Sequence, residues 1–323
     1  MARVLSGIQP TGEVHLGNYI GAISRWAREQ QPEHFFCIVD LHAITFPQDP
    51  VELRTKSLDL ATWLLAAGIS PELLFVQSQV REHSELAWVL NCIATMGELQ
   101  RMTQFKEKSQ GRDSIGVGVF TYPVLQAADI LIYQAEEVPV GADQQQHLEL
   151  TRDIAQRFNS RYGDTFTLPK ATFPTSGARI MDLQQVDKKM SKSSESPGGT
   201  IVLSEDEDAT RKKILRAVTD SGSEIRPGDD KPGVTNLLDL MSAVTGATTE
   251  QLTDHFAGKG YGDFKKEIAE AVNGYLRPIR DRYAELRQDP AGVEAALRKG
   301  SARARAVAAD TMATVRERVG FLA

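Results

Sequence analysis

Three polar segments carry residue types that could do chemistry. The first is Gly7-Ile8-Gln9-Pro10-Thr11-Gly12-Glu13-Val14-His15-Leu16-Gly17-Asn18-Tyr19. It leaves an apolar run, turns through glycines and enters a helix near Gly17. Such a turn lets a backbone approach a polyphosphate closely, and a helix N-terminus offers it unpaired N–H groups. His15 is placed to donate to a phosphate there. A plain strand-to-helix turn would explain the glycines but not His15 and Asn18 together. The second segment is Asp187-Lys188-Lys189-Met190-Ser191-Lys192-Ser193-Ser194. The ammonium groups of Lys189 and Lys192, among hydroxyls, can hold the charge that builds on a departing pyrophosphate once the loop closes. Read alone, the same pattern also fits a basic surface loop.

The third segment runs from Tyr122 to Gln144. Tyr122, Gln126, Asp129 and Tyr133 recur at helical spacing and share one face. Asp129 interrupts the apolar stretch Ala127-Ala128-Asp129-Ile130-Leu131-Ile132. A carboxylate buried there needs a donor, supplied by the protein or by a ligand N–H. Pro123 is expected at the first position of this helix, with Thr121 or Tyr122 as cap. Val138-Pro139-Val140 then reads as a strand, Gly141 as a turn, and Asp143 to His147 as the start of the next helix.

Other chemistries find less support. Asp40-Leu41-His42 is half of a metal site, but no second Asp-x-His or His-x-His cluster completes it, and His34, His83 and His255 are scattered. There is no GxGxxG fingerprint, no GK[ST] phosphate loop and no GxSxG elbow. Cys37 and Cys92 lack metal or redox spacing and read as reduced packing residues.

Positioning these segments falls to alternating strands and helices. Apolar runs at Val4–Ile8, Phe35–Val39, Leu73–Gln77 and Val138–Val140 suit buried strands of a parallel sheet. Between them, Glu52–Ala67 carries Leu53, Leu60, Trp63 and Leu64 as one helical stripe. The pattern implies an α/β fold with a doubly wound parallel sheet, whose ligands bind at the carboxyl ends of the strands. After about residue 200 the strand signal gives way to helices broken by Gly, Pro and Asp. Residues 1–200 are therefore expected to form the sheet domain and residues 201–323 a helical domain.

With 41% hydrophobic and 25% charged residues, the composition is that of a soluble globular protein, and disorder is excluded. No apolar run approaches the ~20 residues of a membrane span. The N-terminus shows no signal peptide, so a cytoplasmic location is expected. The net charge is −6, yet Tyr275–Arg318 holds ten basic against six acidic residues. Gln100–Arg112 is basic too, with Arg101, Lys106, Lys108 and Arg112 against Glu107. Such patches could attract nucleic-acid phosphate, or could be solvated helix faces.

Taken together, His15-Leu16-Gly17-Asn18 early in the chain and Lys189-Met190-Ser191-Lys192-Ser193 late in it resemble the HIGH and KMSKS signatures of the class I aminoacyl-tRNA synthetases. The finer pattern resembles the bacterial tryptophanyl-tRNA synthetases over nearly the whole chain. It is carried by Ser6–Gly12, Gly97–Ser109, Ala127–Leu131, Val138–Gly141, Gly177–Met181 and Gly258–Gly262. The resemblance implies a Rossmann-like (HUP-type) catalytic domain and a helical domain that reads the tRNA anticodon. It also implies a homodimer using ATP with Mg²⁺, L-tryptophan and tRNA(Trp).

Roles follow from the resemblance residue by residue. Gln9, Pro10, Thr11, Gly17, Asn18, Gly141, Ala142, Asp143, Ile180 and the loop Lys189, Met190, Ser191, Lys192, Ser193 would hold ATP. Lys108, Lys189 and Lys192 would contact its phosphates beside His15, and Ile180 and Met190 would flank adenine. Asp129 would accept the indole N–H, while Tyr122 and Gln144 would hold the α-amino group. Leu5, Gly7, Val39, His42, Gln126, Ile130, Val138 and Val140 would line the indole pocket. Phenylalanine, lacking a donor, would leave Asp129 unpaired at a cost of ~1–3 kcal/mol or more. Three positions depart from the family pattern: Ala142 where Glu is frequent, His15 where many tryptophan enzymes have Ser or Thr, and Gln126 where Met is frequent. The alternatives are a tyrosine-specific relative, a small-molecule adenylyltransferase, or an inactive RNA-binding or regulatory paralogue.

Overall fold

Short apolar runs form a parallel sheet in this chain because both of their faces are covered. The computed structural model describes residues 2–111, 114–173, 180–191 and 198–322. Strands β1 (Val4–Ile8), β2 (His34–Ile38), β3 (Leu74–Val76), β4 (Glu137–Pro139) and β5 (Lys170–Thr172) pair in the order β3-β2-β1-β4-β5, all parallel. Four of them coincide with the expected runs. β5 escaped the sequence reading because its three residues, Lys-Ala-Thr, carry almost no apolar signal.

Helices α1 (Leu16–Asn18) and α2 (Ser24–Glu29), joined by a π-helical turn at Tyr19–Ile23, connect β1 to β2. Next come α3 (Asp40–Ala43) and α4 (Pro50–Ala66). After β3 follow α5 (Glu82–Asn91), α6 (Met96–Gln100), α7 (Thr103–Ser109) and α8 (Val117–Leu131), and α9 (Gln145–Tyr162) joins β4 to β5. The last part holds α10 (Glu207–Leu215), α11 (Pro232–Thr245), α12 (Thr249–His255), α13 (Tyr261–Leu286) and α14 (Pro290–Val319).

The period of two along β2 divides the core. Phe35 and Cys37 enter one apolar cluster with residues of α5, α8 and α9, while Phe36 and Ile38 enter another with residues of α4. The helical region joins both clusters. Leu237, Phe264 and Val272 of α11 and α13 pack in the α4 cluster, where Tyr283 stacks on Trp63 with centroids 3.8 Å apart and hydrogen-bonds Asp59. Helix α14 runs back across the strand-bearing part, burying Ala304, Ala308, Met312 and Val315 in the other cluster. Residues on both sides of position 200 therefore share both apolar clusters.

This return also accounts for three of the ten basic residues of the C-terminal stretch. Arg303 donates to the carbonyls of His34 and Pro32, Arg305 to that of Gln79, and Arg316 pairs with Glu85 at 2.5 Å. These guanidinium groups fasten α14 to the start of β2, to the turn after β3 and to α5.

Two further local expectations are corrected. Pro123 lies inside α8, which begins after Gly116, so Thr121 and Tyr122 are helical residues rather than caps. Cys92 is exposed, unlike the buried Cys37.

The chain runs from β1 to β3 in one direction across the sheet and from β4 to β5 in the other. The β1–β4 ladder is confined to Val4 and Glu137. A crevice follows at the carboxyl ends of these two strands, the switch point at which doubly wound sheets bind ligands.

Close approach of α14 to β3 gives a test of the packing. A Cβ at Gly300 would lie 1.8 Å from the Leu74 carbonyl oxygen. Gly300→Ala is expected to lower the unfolding free energy by about 1–3 kcal/mol, the usual cost of overpacking, in urea titrations. An unchanged midpoint would show that the helix can stand off from the strand.

Candidate active site

At the switch point lies a cavity of about 340 Å³. It is lined by Leu5 and Gly7 of β1, by Val39 and His42 after β2, and by Tyr122, Gln126, Asp129 and Ile130 of α8. Val138, Val140 and Gln144, in and after β4, complete it. Every residue that the sequence analysis assigned to a tryptophan pocket therefore lines one space. Gln9, Lys108 and Gly141, from the nucleotide set, reach its edge. Pro123 within α8 does not disturb the helical spacing that carries Tyr122, Gln126 and Asp129 to the same wall.

Asp129 is 3% exposed and is held by three side chains. Gln77 Nε2 donates to Oδ1 at 2.6 Å, His83 Nδ1 donates to the same oxygen at 2.7 Å, and His42 Nε2 donates to Oδ2 at 2.8 Å. Each donor is itself oriented: the Leu41 N–H donates to Gln77 Oε1 at 3.1 Å, and His83 Nε2 meets the Tyr133 hydroxyl at 2.7 Å. Burial alone would raise the Asp129 pKa. The bonds and charges of His42 and His83 outweigh it and hold the carboxyl well below its usual range. An ionised carboxylate offers about four lone-pair sites, so one acceptor site remains on Oδ2.

Two turns N-terminal on α8, about 10 Å along the helix, Tyr122 forms a second polar group. Its hydroxyl donates to Gln104 Oε1 at 3.0 Å and meets His147 Nε2 at 2.9 Å. Gln126 Nε2 donates to Gln144 Oε1 at 3.3 Å, and Gln144 Nε2 to Asp143 Oδ2 at 2.8 Å. Lys108 lies with Nζ 4.2 Å over the Tyr122 ring, and burial lowers its pKa. The His147 pKa falls to about 4, through burial first and the charge of Lys108 second.

The turn after β1 behaves differently from its sequence reading. His15 caps α1: its Nδ1 accepts from the Asn18 N–H at 3.3 Å, and Asn18 Oδ1 accepts from the His15 N–H at 3.4 Å. Helix capping therefore explains the pair together, and the ring's donor nitrogen is Nε2. A Cβ at Gly17 would lie 3.1 Å from His15 Nδ1, so glycine leaves room for the capping ring, and Met190 packs alongside at ordinary contact distance. The Met190 N–H donates to the Ile180 carbonyl at 3.0 Å, and both side chains are buried. Lys189 bridges to Met181. Pro10 and Thr11 belong to the turn, and Ala142 and Asp143 to a 3₁₀ turn at Ala142–Gln144. Lys192 and Ser193 lie outside the described residues, as does the Gly177–Arg179 stretch.

Several functional neighbours were missed. Cys37 and Gln104 line the cavity, and Gln77, His83 and His147 stand behind it. Gln77 could have been found, since it closes an apolar run at the carboxyl end of a strand. His83, in Glu82-His83-Ser84-Glu85, reads as a solvated helix start. Among the described residues no group of three or more His, Cys, Asp and Glu could hold a metal. Asp40 instead accepts from Ser78, and His42 serves Asp129.

Comparison with known proteins matches residues 1–277 to the family of class I tRNA synthetases for W and Y. The chain is 52% identical to tryptophan–tRNA ligase 2 of Streptomyces avermitilis, covering 99% of this chain and 97% of the relative. It is 50% identical to the tryptophan–tRNA ligase of Caldanaerobacter subterraneus subsp. tengcongensis, over 100% and 99%. Among solved structures, tryptophanyl-tRNA synthetase from Mycoplasma pneumoniae superposes with a TM-score of 0.89 at 38% identity, covering 100% of this chain and 98% of the other. The Campylobacter jejuni enzyme, complexed with ADP and tryptophan, gives 0.85 at 35%, over 99% and 100%. The chain belongs to the class I tryptophan and tyrosine tRNA synthetase family.

Burial of neutral His147 has a consequence for stability. Below its ordinary pKa of 6.5 the unfolded chain binds a proton there that the folded chain refuses until about pH 4. Stability therefore falls as pH drops across that window, by up to about 1.4 kcal/mol per pH unit for one proton. His147→Gln is expected to flatten that part of the wild-type curve in urea unfolding at stepped pH. An identical slope in the variant would mean the histidine is charged in the fold.

Proposed function

We propose that this chain activates L-tryptophan with ATP and transfers it to tRNA(Trp), as a tryptophan–tRNA ligase. The observation that carries the reading is the switch-point cavity. Its walls include Leu5, Val39, Ile130, Val138 and Val140 together with the buried carboxylate of Asp129, which can only accept, and the indole ring is an apolar body whose polar atom can only donate. In this reading the remaining lone pair of Asp129 Oδ2 takes the indole N–H. Tyr122 and Gln144, two turns away, receive the α-ammonium. Leu5, Gly7, Val39, His42, Gln126, Ile130, Val138 and Val140 enclose the ring.

The carboxylate then points toward Gln9 and Gly141, where the nucleotide set begins. ATP is held by Gln9–Thr11, Gly17, Asn18, Gly141–Asp143, Ile180 and the segment from Lys189, with His15 setting the turn. The carboxylate attacks the α-phosphorus in line and pyrophosphate leaves; a hydroxyl of the tRNA's terminal ribose then attacks the adenylate's acyl carbon and AMP leaves. No side-chain nucleophile is needed. Positioning and neutralisation of phosphate charge by Lys108, Lys189 and Lys192 supply the catalysis. Mg²⁺ arrives with ATP as part of the substrate, bound through phosphate oxygens.

The anticodon is read by the helical region of residues 201–323. Arg303, Arg305 and Arg316 are engaged within the fold, so contacts to tRNA phosphates fall to other basic side chains. The protein works as a cytoplasmic homodimer. That assembly is supported by large apolar side chains left exposed on α5, α6 and α8: Trp88 at 70%, Met96 at 64% and Val117 at 75%.

Pyrophosphate exchange into ATP, run separately with each of the twenty amino acids, tests the activation step. Exchange with tryptophan alone is expected. Exchange with tyrosine would keep the chemistry and move the specificity. No exchange in a folded, ATP-binding protein would favour the RNA-binding paralogue.

A further inference from the structure

We infer that His147 is a positioning residue for the substrate's α-ammonium, acting through the Tyr122 hydroxyl with Gln104 as its counterpart. The inference rests on the reading that tryptophan's ammonium meets Tyr122 and Gln144. His147 carries no role in the sequence patterns, yet it is 1% exposed and stands 2.9 Å from Tyr122.

The direction of each hydrogen bond around Tyr122 is forced. Gln104 Nε2 donates to the Asp143 carbonyl at 3.2 Å, and a carbonyl can only accept. The amide is thereby oriented so that Gln104 Oε1 faces Tyr122 and takes its only hydroxyl proton. Toward His147 the same hydroxyl can then only accept, so the neutral imidazole carries its proton on Nε2. Nδ1 is left as a buried atom with no hydrogen-bond partner among the described residues. An unpaired buried nitrogen is costly, and the arrangement is intelligible if the bond at Nε2 is what matters. Of the two acceptor lone pairs of the hydroxyl, His147 fills one and the other is left for a ligand.

The neighbouring amide points the same way. Gln144 gives its N–H to Asp143, which leaves Oε1 as the group it offers, with Gln126 donating to that oxygen. Tyr122 and Gln144 therefore both present acceptors, the pattern that selects an ammonium over a carboxylate. The ring face of Tyr122 already attracts one ammonium, that of Lys108 at 4.2 Å. His147 also touches the Tyr122 ring, with centroids 5.3 Å apart, so it fixes both the place and the polarity of the phenol.

The test compares equilibrium binding of L-tryptophan and of indole-3-propionate, which keeps the ring and carboxylate but lacks the ammonium. His147→Leu in the full-length protein is expected to weaken tryptophan about tenfold, the loss of one positioned hydrogen bond, and to change indole-3-propionate less than about twofold. His147→Gln, whose Nε2 can donate from a similar place, should recover most of the loss. In pyrophosphate exchange the effect should fall on the tryptophan KM and spare the ATP KM. If His147→Leu fails to fold, Gln104→Leu removes the other bond at a partly exposed position and should show the same selective loss. Equal weakening of both ligands, or unchanged tryptophan binding, would overturn the inference. Wild type that binds indole-3-propionate but gains nothing from the ammonium of tryptophan would instead overturn the substrate reading beneath it.

Discussion

Burying a carboxylate among apolar side chains is unfavourable unless donors surround it, and Asp129 meets that condition through Gln77, His42 and His83. The three donors come from separate parts of the chain: one directly after β3, one on α3 after β2, and one on α5. Their convergence on α8 requires the sheet order, the strand ends and the helix packing to be right at once. Tyr133, which holds His83, is itself fixed by stacking on Phe35 with centroids 4.4 Å apart. Asp129 thus reports on the whole sheet, and the cavity inherits its chemistry from an acceptor that cannot turn away or pick up a proton easily.

A second constraint joins the two signature segments. Leu16 N–H donates to the Ile201 carbonyl at 2.8 Å, and Leu203 N–H to that of Val14 at the same distance, which ties the start of the helical region to the turn after β1. Met190 packs beside Gly17 of that turn. Tyr283 on Trp63 and the arginines of α14 then hold the helical region against both faces of the sheet. Strands and helices share both apolar clusters, so the turn after β1 and the crevice are braced by the same packing.

Much of this was legible in the sequence, for reasons that differ by element. β1 to β4 announce themselves because strands buried on both faces are continuous apolar runs. Asp129 stands out because a charge in an apolar helix demands a partner. What could not be read was the partner: His83 looks like a solvated residue in one dimension and is fully buried in three. The reciprocal helix cap between His15 and Asn18 was not legible either, because spacing alone does not show which side chain turns back on the backbone. The basic stretch at the C-terminus reads either as a nucleic-acid surface or as solvated helix faces, and neither reading shows that a long returning helix gives Arg303 and Arg305 to backbone carbonyls. Charge counted along a sequence does not distinguish these uses, because burial is set by elements far away.

The central claim is that a fixed, ionised, buried acceptor at Asp129 recognises a single N–H. The most direct measurement is pyrophosphate exchange with L-tryptophan against β-(3-benzothienyl)alanine, in which sulfur replaces the indole N–H with little change of shape. The analogue is expected to lose at least about a hundredfold in kcat/KM, because Asp129 is left one donor short, with no matching loss of ATP affinity. Exchange with the analogue at a rate close to that of tryptophan would contradict it. The pocket would then be reading shape alone, and the carboxylate network would serve only to hold the fold.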